Sequence, residues 1–309
     1  MTDRRPILVT GSPRSGTTWV GSMVAAAPGI AYLHEPFNAD FDSGVCNARF
    51  NEMFTYVCEE NERRFYDAIR DTLRFRYHFL PQMRRVWSAS AFARTFQNQF
   101  QFFGYRRTGA RALIKDPIAI FSAPWLAARF DVQVVILIRH PLPFVNSMKR
   151  LNWGHDFSGF LRQPLLMRDF LSPFEAEISA FARQPRDIVE QAALLWNLIY
   201  STVSKFKEDH PDWTFVRHED LSNDPLSGFR AVYEALNLTY TDKIERIIAS
   251  NPRVSDLHRT KIKPFAIRRK PESNSANWLA RLSEEETARV MRIVRPVADD
   301  FYPESLNLS

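Results

Sequence analysis

The sequence contains little cysteine, no long apolar run and no concentrated block of Lys and Arg. Only Cys46 and Cys58 are present, so a disulfide framework is not the organising feature, and two free thiols in a reducing compartment are expected, with a single bridge as the alternative. No apolar segment reaches the ~20 residues of a membrane span, and the short apolar run near the start is not expected to act as a secretory signal. These features predict a cytoplasmic protein without a membrane span.

Metal-ligating patterns are also missing from the sequence. The seven histidines and two cysteines show neither H-x-x-x-H nor C-x-x-C spacing, so no metal site is expected. The formal net charge is +6 and the pI about 9.4, which favours an anionic partner. The basic residues form no long run of the kind that marks a nucleic-acid tail, and no nucleic-acid partner is expected.

Short apolar runs bounded by turn residues predict five strands. The clearest, 132-VQVVILIR-139, is apolar throughout its middle, which favours burial on both faces, as in a parallel sheet. The predicted strands are 6–11, 30–33, 112–115, 132–139 and 213–219. Segments with helical periodicity lie between them, so strands and helices alternate. The pattern predicts an α/β fold, a P-loop-like central parallel sheet flanked by helices.

Two segments depart from this alternation. The first, at about 39–108, mixes Phe, Tyr, Arg and Glu and predicts a helical insertion, either an ordinary packed segment or a lid over the ligand-binding edge of the sheet. The second, 251–278, is basic and rich in Pro, Ser and Asn, which is typical of a loop. Beyond it, Ser283 and Glu286 match a capping box and predict a final helix. We expect a single domain over residues 1–309.

The loop 11-GSPRSGTT-18 has the glycine spacing of a phosphate-binding loop but lacks its lysine. Thr17 stands where G-x-x-x-x-G-K-[ST] has Lys, and a basic residue comes three positions earlier, as Arg14. A strand, a glycine-containing turn and a helix present free backbone N–H groups and a positive helix end to an anion. The hydroxyls of Ser15, Thr17 and Thr18 add donors, and the Arg14 guanidinium suits two oxygens at once.

The longer segment 13-PRSGTTW-19 resembles the 5′-phosphosulfate loop of sulfotransferases that use 3′-phosphoadenosine 5′-phosphosulfate (PAPS). Cytosolic members typically have Lys where this sequence has Arg14, whereas carbohydrate and tyrosyl-protein members commonly have Arg. The resemblance implies that the loop holds a 5′-phosphosulfate without Mg²⁺, through Arg14, Ser15, Gly16, Thr17 and Thr18. It also implies that Trp19 stacks on the adenine, with packing of the first helical turn as the alternative.

A second motif resembles the 3′-phosphate site of the same family. Arg139 follows the fourth predicted strand directly, and Ser147 stands eight residues later in the next helix. A later basic stretch lies where the family has an Arg-Lys-Gly contact with the 3′-phosphate, so Arg269 and Lys270 are further candidates for nucleotide binding. Pro271 replaces the family's glycine there.

Weaker similarities cover two other strand ends. The segment 112-ALIKDP-117 is similar to the family's K-T-H-L-P region, and 215-FVRHEDLSNDP-225 is similar to its Y-E-D-L-x-x-D-P segment. In the second of these, the carboxylates of Glu219 and Asp220 are expected to be structural. Asp224 followed by Pro is expected to begin a helix.

The predicted chemistry is sulfuryl transfer, which needs a base, in-line positioning and stabilisation of charge on the leaving phosphate. The cytosolic branch uses the His of K-T-H-L-P as base, but Pro117 occupies that position here. Glu35, at the end of the second strand, resembles the Glu base of other branches, and Asp116 is the alternative. Arg14 is expected to act as an electrostatic clamp on the bridging and sulfuryl oxygens. Lys115 either reaches the sulfate or faces water.

The sequence therefore predicts a PAPS-dependent sulfotransferase with Glu35 as base, 3′-phosphoadenosine 5′-phosphate (PAP) as product and no metal. One alternative is a divergent P-loop kinase or NTPase, in which the Thr18 hydroxyl holds Mg²⁺. The other is a non-catalytic nucleotide- or polyanion-binding protein, for which 259-RTKIKPFAIRRK-270 is the best feature. The acceptor, a small molecule or a glycan- or lipid-linked hydroxyl or amine, and the oligomeric state stay open.

Overall fold

A sheet of five parallel strands forms the centre of the computed structural model, which describes residues 3–38, 44–84, 88–250 and 282–303. The strands are β1 (Ile7–Gly11), β2 (Ile30–His34), β3 (Arg111–Lys115), β4 (Gln133–Ile138) and β5 (Thr214–Arg217). Their order across the sheet is β2-β3-β1-β4-β5. The predicted α/β fold with a P-loop-like parallel sheet flanked by helices is confirmed.

Helices occupy the connections between the strands. They are α1 (Thr17–Ala25), α2 (Tyr66–Leu73), α3 (Phe79–Met83), α4 (Ala89–Thr108), α5 (Ala123–Phe130), α6 (Pro141–Leu151), α7 (Ser158–Leu161), α8 (Pro164–Leu166), α9 (Glu175–Arg183), α10 (Ile188–Asp209), α11 (His218–Asn223), α12 (Pro225–Ala235), α13 (Asp242–Ala249) and α14 (Glu284–Ala298). A 3₁₀ helix, Pro117–Ser122, follows β3 directly. None of the helices in the described part of the chain is long and apolar enough to cross a membrane.

Both faces of the sheet are buried, as the continuous apolar strands predicted. Along β4, Val134, Ile136 and Ile138 belong to one hydrophobic cluster, whereas Val135 and Leu137 belong to another. This alternation is the period of two expected of a strand. The first cluster also contains the buried stripe of α10, and the second includes residues of α1, α12 and α13. Layers of helices therefore cover the sheet on both sides.

The strand predicted at 213–219 is shorter than expected. β5 ends at Arg217 because α11 begins at the next residue, His218. The other local signals agree with the structure. Asp224 caps α12 by accepting a hydrogen bond from the Ser227 N–H at 3.2 Å, and Ser283 and Glu286 form the capping box of α14.

Helices α2, α3 and α4 lie between β2 and β3, in the region predicted to be a helical insertion. Its aromatic side chains join the same hydrophobic cluster as α10, through residues such as Phe54, Phe65 and Phe102. Helix α4 is 20 residues long and is capped at its start by Ser88, whose Oγ accepts from the Ala91 N–H. The insertion thus contributes an ordinary packed core, and its role as a lid stays a prediction.

The strand order places a ligand-binding edge beside β1. The chain leaves β1 towards β2 and β3, then crosses to the other side and leaves β4 towards β5. In open α/β sheets, ligands bind where the connections diverge in this way, outside the carboxyl ends of the strands. Gly11 pairs with Leu137 in the sheet, so the loops that follow β1 and β4 start side by side at that edge.

Candidate functional site

The loop between β1 and α1 has a backbone that suits an anion. Gly11, Arg14 and Gly16 have φ values of 148°, 67° and 99°, all in the region that L side chains rarely adopt. A Cβ atom on Gly11 would lie 2.4 Å from the Leu137 carbonyl oxygen, so only glycine fits there. Arg14 adopts the left-handed conformation despite its side chain, which costs about 1–2 kcal/mol and indicates that the surrounding structure holds it.

Among the described residues, no side chain caps the N-terminus of α1. Gly16, which precedes the helix, has no side chain that could accept a hydrogen bond from the first turn. The Ser15 N–H is engaged within the loop, where it donates to the Ser12 carbonyl at 3.1 Å. Thr17 is buried and Thr18 is exposed, so their hydroxyls face different surroundings at the helix start. Uncapped N–H groups and the helix dipole together attract a negative charge at this point.

The residues predicted to hold the two ends of the nucleotide meet in the structure. The Arg14 Nε–H donates to the Ser147 Oγ at 3.0 Å, which joins the loop to α6. The Arg139 guanidinium donates to the carbonyl of Arg14, which joins the loop to the end of β4. Residues that are 133 and 125 positions apart in sequence therefore form one cluster.

Several polar atoms of this cluster are buried without a protein partner. Among the described residues, the Ser15 Oγ, the Arg139 Nε and the Trp19 Nε1 have no hydrogen-bond partner. Arg139 also has no carboxylate within ion-pair distance in this part of the chain, and burial lowers its pKa. Buried polar groups are normally hydrogen-bonded. Unsatisfied donors concentrated around one loop therefore fit a polar, anionic ligand.

Tyr200 of α10, which no sequence motif marks, connects the two loops. Its hydroxyl lies 2.9 Å from the Ser12 Oγ, donates to the Leu137 carbonyl at 3.1 Å and accepts from the Arg139 N–H at 3.2 Å. Burial raises the pKa of Tyr200 to about 12, so the hydroxyl keeps its proton. The Trp196 indole, one helical turn earlier, donates to the Arg139 carbonyl at 2.8 Å. Both residues fall on the apolar face of α10, where periodicity indicates only packing.

A buried ion pair lies at the ends of β2 and β3. The Lys115 ammonium donates to the Glu35 Oε1, and Lys115 is 1% exposed whereas Glu35 is 19% exposed. The Lys115 stem passes α1 at Gly21, where a Cβ atom would lie 2.9 Å from the Lys115 Cγ. The structure therefore places Lys115 inside the molecule, against the alternative in which it faces water. It connects the carboxylate to the helix that begins at the loop.

The environment of Glu35 keeps its carboxylate ionised. Burial raises its pKa, but the charges of Lys115 and His34 and hydrogen bonds from Lys115 and Asn38 outweigh burial, and the pKa lies below its ordinary value. The Asn38 Nδ2 donates to the Oε2 at 3.2 Å, and the His34 Nε2 lies 3.8 Å from the Oε1. The backbone of Glu35 is left-handed, with φ of 46°, and its N–H donates to the Lys115 carbonyl at 2.8 Å.

Asp116, the alternative base, stabilises the local backbone. It is fully buried, and its two carboxylate oxygens accept from the Phe37 N–H at 2.7 Å and from the Ile118 N–H at 3.1 Å. These bonds fix the turn after Glu35 and cap the 3₁₀ helix after β3. Burial and the negative charge of Glu35 raise the pKa of Asp116 to about 7. With both oxygens occupied by backbone donors, Asp116 is poorly placed to receive a proton from a substrate.

Trp19 packs beside the loop, against residues of α11 and α12 that no sequence motif indicates. Its ring contacts Phe229 of α12 at 5.1 Å and His218 of α11 at 5.7 Å, both edge to face. A Cβ on Gly16 would lie 2.5 Å from the His218 Nδ1, so this imidazole covers the loop at its second glycine. Burial and the charge of Arg139 lower the pKa of His218 to about 4, which keeps the ring neutral. Packing of the first helical turn is thus observed, and stacking on adenine stays a prediction.

Of the remaining predicted residues, Glu219 lies in the described part of the chain, whereas Arg269 and Lys270 do not. Glu219 is structural as predicted, since its carboxylate accepts from the His140 N–H at 3.1 Å and from the Tyr302 hydroxyl at 2.7 Å. Among the residues that the structure describes, no group of three or more His, Cys, Asp or Glu side chains is arranged to hold a metal ion.

The sequence matches a known family of proteins over most of its length. The sequence matches the family model described as "Sulfotransferase family" over residues 6–242, which includes both the loop and the β4–α6 motif. No curated protein matches the chain. The chain belongs to the sulfotransferase family.

The chain is also similar to solved structures of sulfotransferases, at low identity. One is the sulfotransferase domain of the olefin synthase of Synechococcus PCC 7002, with 16% identity, a TM-score of 0.47 and 96% of each chain covered. Another is the sulfotransferase STF9 from Mycobacterium avium, with 15% identity, a TM-score of 0.46 and coverage of 96% of this chain and 77% of the other. STF1 from Mycobacterium tuberculosis has 18% identity, a TM-score of 0.41 and coverage of 80% and 71%.

Proposed function

We propose that this sulfotransferase takes its sulfuryl group from PAPS and transfers it in line to an acceptor hydroxyl or amine. One observation carries the proposal. The loop after β1 and the end of β4 are joined through Arg14, Ser147 and Arg139, and the buried Ser15 Oγ and Arg139 Nε have no hydrogen-bond partner among the residues that the structure describes. A nucleotide with phosphate groups on both the 5′ and the 3′ oxygen supplies the acceptors that these donors lack.

The residues present fit such a donor nucleotide. Arg14 and the uncapped start of α1 would hold the 5′-phosphosulfate, with Ser15, Gly16, Thr17 and Thr18 lining the loop. Arg139 and Ser147 would hold the 3′-phosphate. When bound, the nucleotide supplies a sulfuryl group on a phosphate leaving group. The Arg14 guanidinium stays charged at any working pH, so its role is to stabilise negative charge.

Glu35 is proposed as the general base. Its lowered pKa keeps the carboxylate ionised, and the Lys115 and Asn38 contacts orient it. The carboxylate would accept the proton from the acceptor hydroxyl at the Oε2, since the Oε1 is bound to Lys115. A lowered pKa makes Glu35 a weak base in this state. We expect the pKa of Glu35 to rise when the Lys115 ammonium also interacts with a bound anion, because the anion then shares the positive charge that stabilises the carboxylate.

The first experiment measures thermal unfolding with PAP, with Mg·ATP and with AMP. A ligand at ~100 times its dissociation constant stabilises the folded state by roughly 2.7 kcal/mol, equivalent to about 4 °C for a chain of this length. A shift with PAP alone supports the two-phosphate site. A shift with Mg·ATP alone would identify a divergent kinase loop and overturn the proposal. Equal shifts with heparin and PAP, without transfer from PAPS, would favour the polyanion-binding alternative.

The base is tested by Glu35→Gln. Transfer from PAPS to an accepted acceptor should fall by at least about a hundredfold, because general base catalysis contributes 10²–10⁴-fold, while PAP affinity should stay within a few-fold of wild type. Glu175→Gln, on the exposed surface of α9, is the matched control and should retain full activity. If Glu35→Gln retains turnover, Glu35 is not the base.

The 3′-phosphate site is tested separately by Arg139→Ala. Its affinity for PAP should fall much more than its affinity for AMP, because only PAP carries the phosphate that Arg139 would contact. An equal loss of affinity for both nucleotides would contradict the assignment.

A further inference from the structure

Charge is distributed unevenly along this chain. Residues 72–115 contain nine Arg and Lys residues and no Asp or Glu, whereas the other 265 residues contain 32 basic and 35 acidic ones. The acid-free segment includes α3, α4 and β3. The net positive charge of the protein therefore comes from this segment.

Helix α4 also exposes large apolar side chains. Phe92, Phe96, Phe100 and Phe103 are 44%, 39%, 71% and 53% exposed. Spacings of four, four and three residues place them on one side of the helix. The packed side of the same helix is different and carries Thr95 and Phe102, which are buried. Helix α4 thus has a second apolar face that the described part of the protein leaves in solvent.

Neighbouring residues extend this face. The ring of Phe79 in α3 packs on Phe96 with centroids 4.9 Å apart, and the adjacent Leu80 is 73% exposed. Arg106 and Arg107 follow Phe103 by three and four residues, so they continue the stripe by one turn, and both are exposed. Neither forms an ion pair with any described residue. We call the surface formed by Phe92, Phe96, Phe100, Phe103, Leu80, Arg106 and Arg107 the α4 face.

We propose that the α4 face docks the protein on an anionic membrane surface, with α4 lying in the interface plane. Aromatic and aliphatic side chains on one face of a helix, bordered by Arg, are the features that bind the boundary between headgroups and acyl chains. Anionic headgroups complement the arginines and encounter no acidic side chain of the segment 72–115. The protein would then meet acceptors that are held at, or dissolved in, such a surface. This inference does not depend on the identity of the sulfuryl donor.

Two other occupants fit the same face less well. A second copy of the chain would bring the arginines of one α4 face against those of the other, with no acidic residue of the segment to compensate. Single-stranded nucleic acid would use aromatic rings for base stacking. The most exposed large apolar residue of the α4 face is Leu80, however, and its aliphatic side chain offers no ring for a base to stack on.

The experiment is co-sedimentation of the full-length protein with phosphatidylcholine vesicles that contain either no anionic lipid or about a third phosphatidylglycerol. We expect binding to the anionic vesicles, weakened by salt. Phe100→Ser with Phe103→Ser should reduce it about tenfold or more, because two apolar anchors are lost. Arg106→Glu with Arg107→Glu should reduce it by more than about 25-fold, since each arginine near such a surface contributes about fivefold. Leu226→Ser, which removes an exposed leucine of α12, is the control and should bind like wild type.

The possible results separate the proposal from its rivals. Wild-type binding to anionic vesicles that depends on both pairs of residues supports it. No binding at low salt, or equal binding by the Phe pair variant, overturns it. Concentration-dependent dimerisation lost in the Phe pair variant, without vesicle binding, would assign the face to a second copy. Retention of a single-stranded oligonucleotide, with no vesicle binding, would assign it to nucleic acid. Activity on a soluble acceptor should be unchanged in the Phe variant, which separates this test from that of the proposed function.

Discussion

Replacing Tyr200 by Phe removes one hydroxyl that holds both sides of the proposed nucleotide site. The phenol has a single proton, which it donates to the Leu137 carbonyl, so it accepts from the Arg139 N–H and from the Ser12 hydroxyl. Phe fits the same space because Tyr200 is fully buried among apolar side chains and Trp196. The substitution therefore deletes hydrogen bonds without opening a large cavity.

The expected loss of stability follows from the polar groups that no longer have a hydrogen-bond partner. A buried donor or acceptor that loses its partner costs about 1–3 kcal/mol, and three groups around Tyr200 lose one contact each. Allowing for relaxation, we expect the free energy of unfolding to fall by about 2–4 kcal/mol. The unfolding entropy of a chain of 309 residues is about 0.65 kcal/mol/K, so the melting temperature should fall by roughly 3–6 °C. PAP affinity should also fall, by roughly tenfold, since the backbone that presents Arg139 loses its anchor.

The assay compares Tyr200→Phe with Tyr233→Phe by chemical unfolding and by PAP titration. Tyr233 is equally buried, but its hydroxyl forms a single hydrogen bond with the described residues, to the Met23 carbonyl at 2.6 Å, at the far end of α1 from the loop. Its loss should cost only about 1 kcal/mol and leave PAP affinity unchanged. If Tyr200→Phe is no less stable than Tyr233→Phe, or binds PAP as wild type does, the hydroxyl does not organise the site.

Two further predictions concern packing and pH. Gly21→Ala should lower turnover and stability, because the new Cβ would displace the buried Lys115 stem that holds Glu35. Gly104→Ala is the control: there is open space around its Cβ, so the free energy of unfolding should rise by up to about 1 kcal/mol. A stabilised, fully active Gly21→Ala variant would contradict this packing argument. The free energy of unfolding should rise between about pH 4 and pH 6.5, because burial lowers the pKa values of three histidines to about 4 and the unfolded chain then binds protons that the folded chain does not. Each of these histidines contributes up to about 1.4 kcal/mol per pH unit, and Asp116, whose raised pKa gives the opposite slope, offsets about one of them. The three histidines are His140, His155 and His218. Urea titrations across this range should give a smaller slope for His155→Gln, and an unchanged slope would refute the assignment for that residue.

The sequence was sufficient for features that depend on local patterns. Strand positions followed from apolar runs, because a strand buried on both faces has no room for polar residues. The capping box at Ser283 and the Asp224 cap were visible because a cap needs particular side chains at fixed offsets. The loop at Gly11 was recognisable since its positive φ values and the close approach of Leu137 admit only glycine there. The end of β5 was misjudged because β-branched and aromatic content does not mark where α11 begins.

Contacts between distant segments depend on how the strands and helices pack. That Arg14 reaches Ser147, and that Arg139 holds the loop, depends on β1 and β4 being neighbours in the sheet, which no local pattern specifies. The proposal of Glu35 rather than Asp116 as the base likewise rests on tertiary contacts, because both residues follow strands and only burial and backbone partners distinguish them. Tyr200 falls on an apolar helical stripe, and its hydroxyl gains a function only where the packed sheet brings two loop backbones to it. Local sequence patterns thus indicate which residues can bind an anion, whereas the packing of the sheet and helices brings a few of them into contact.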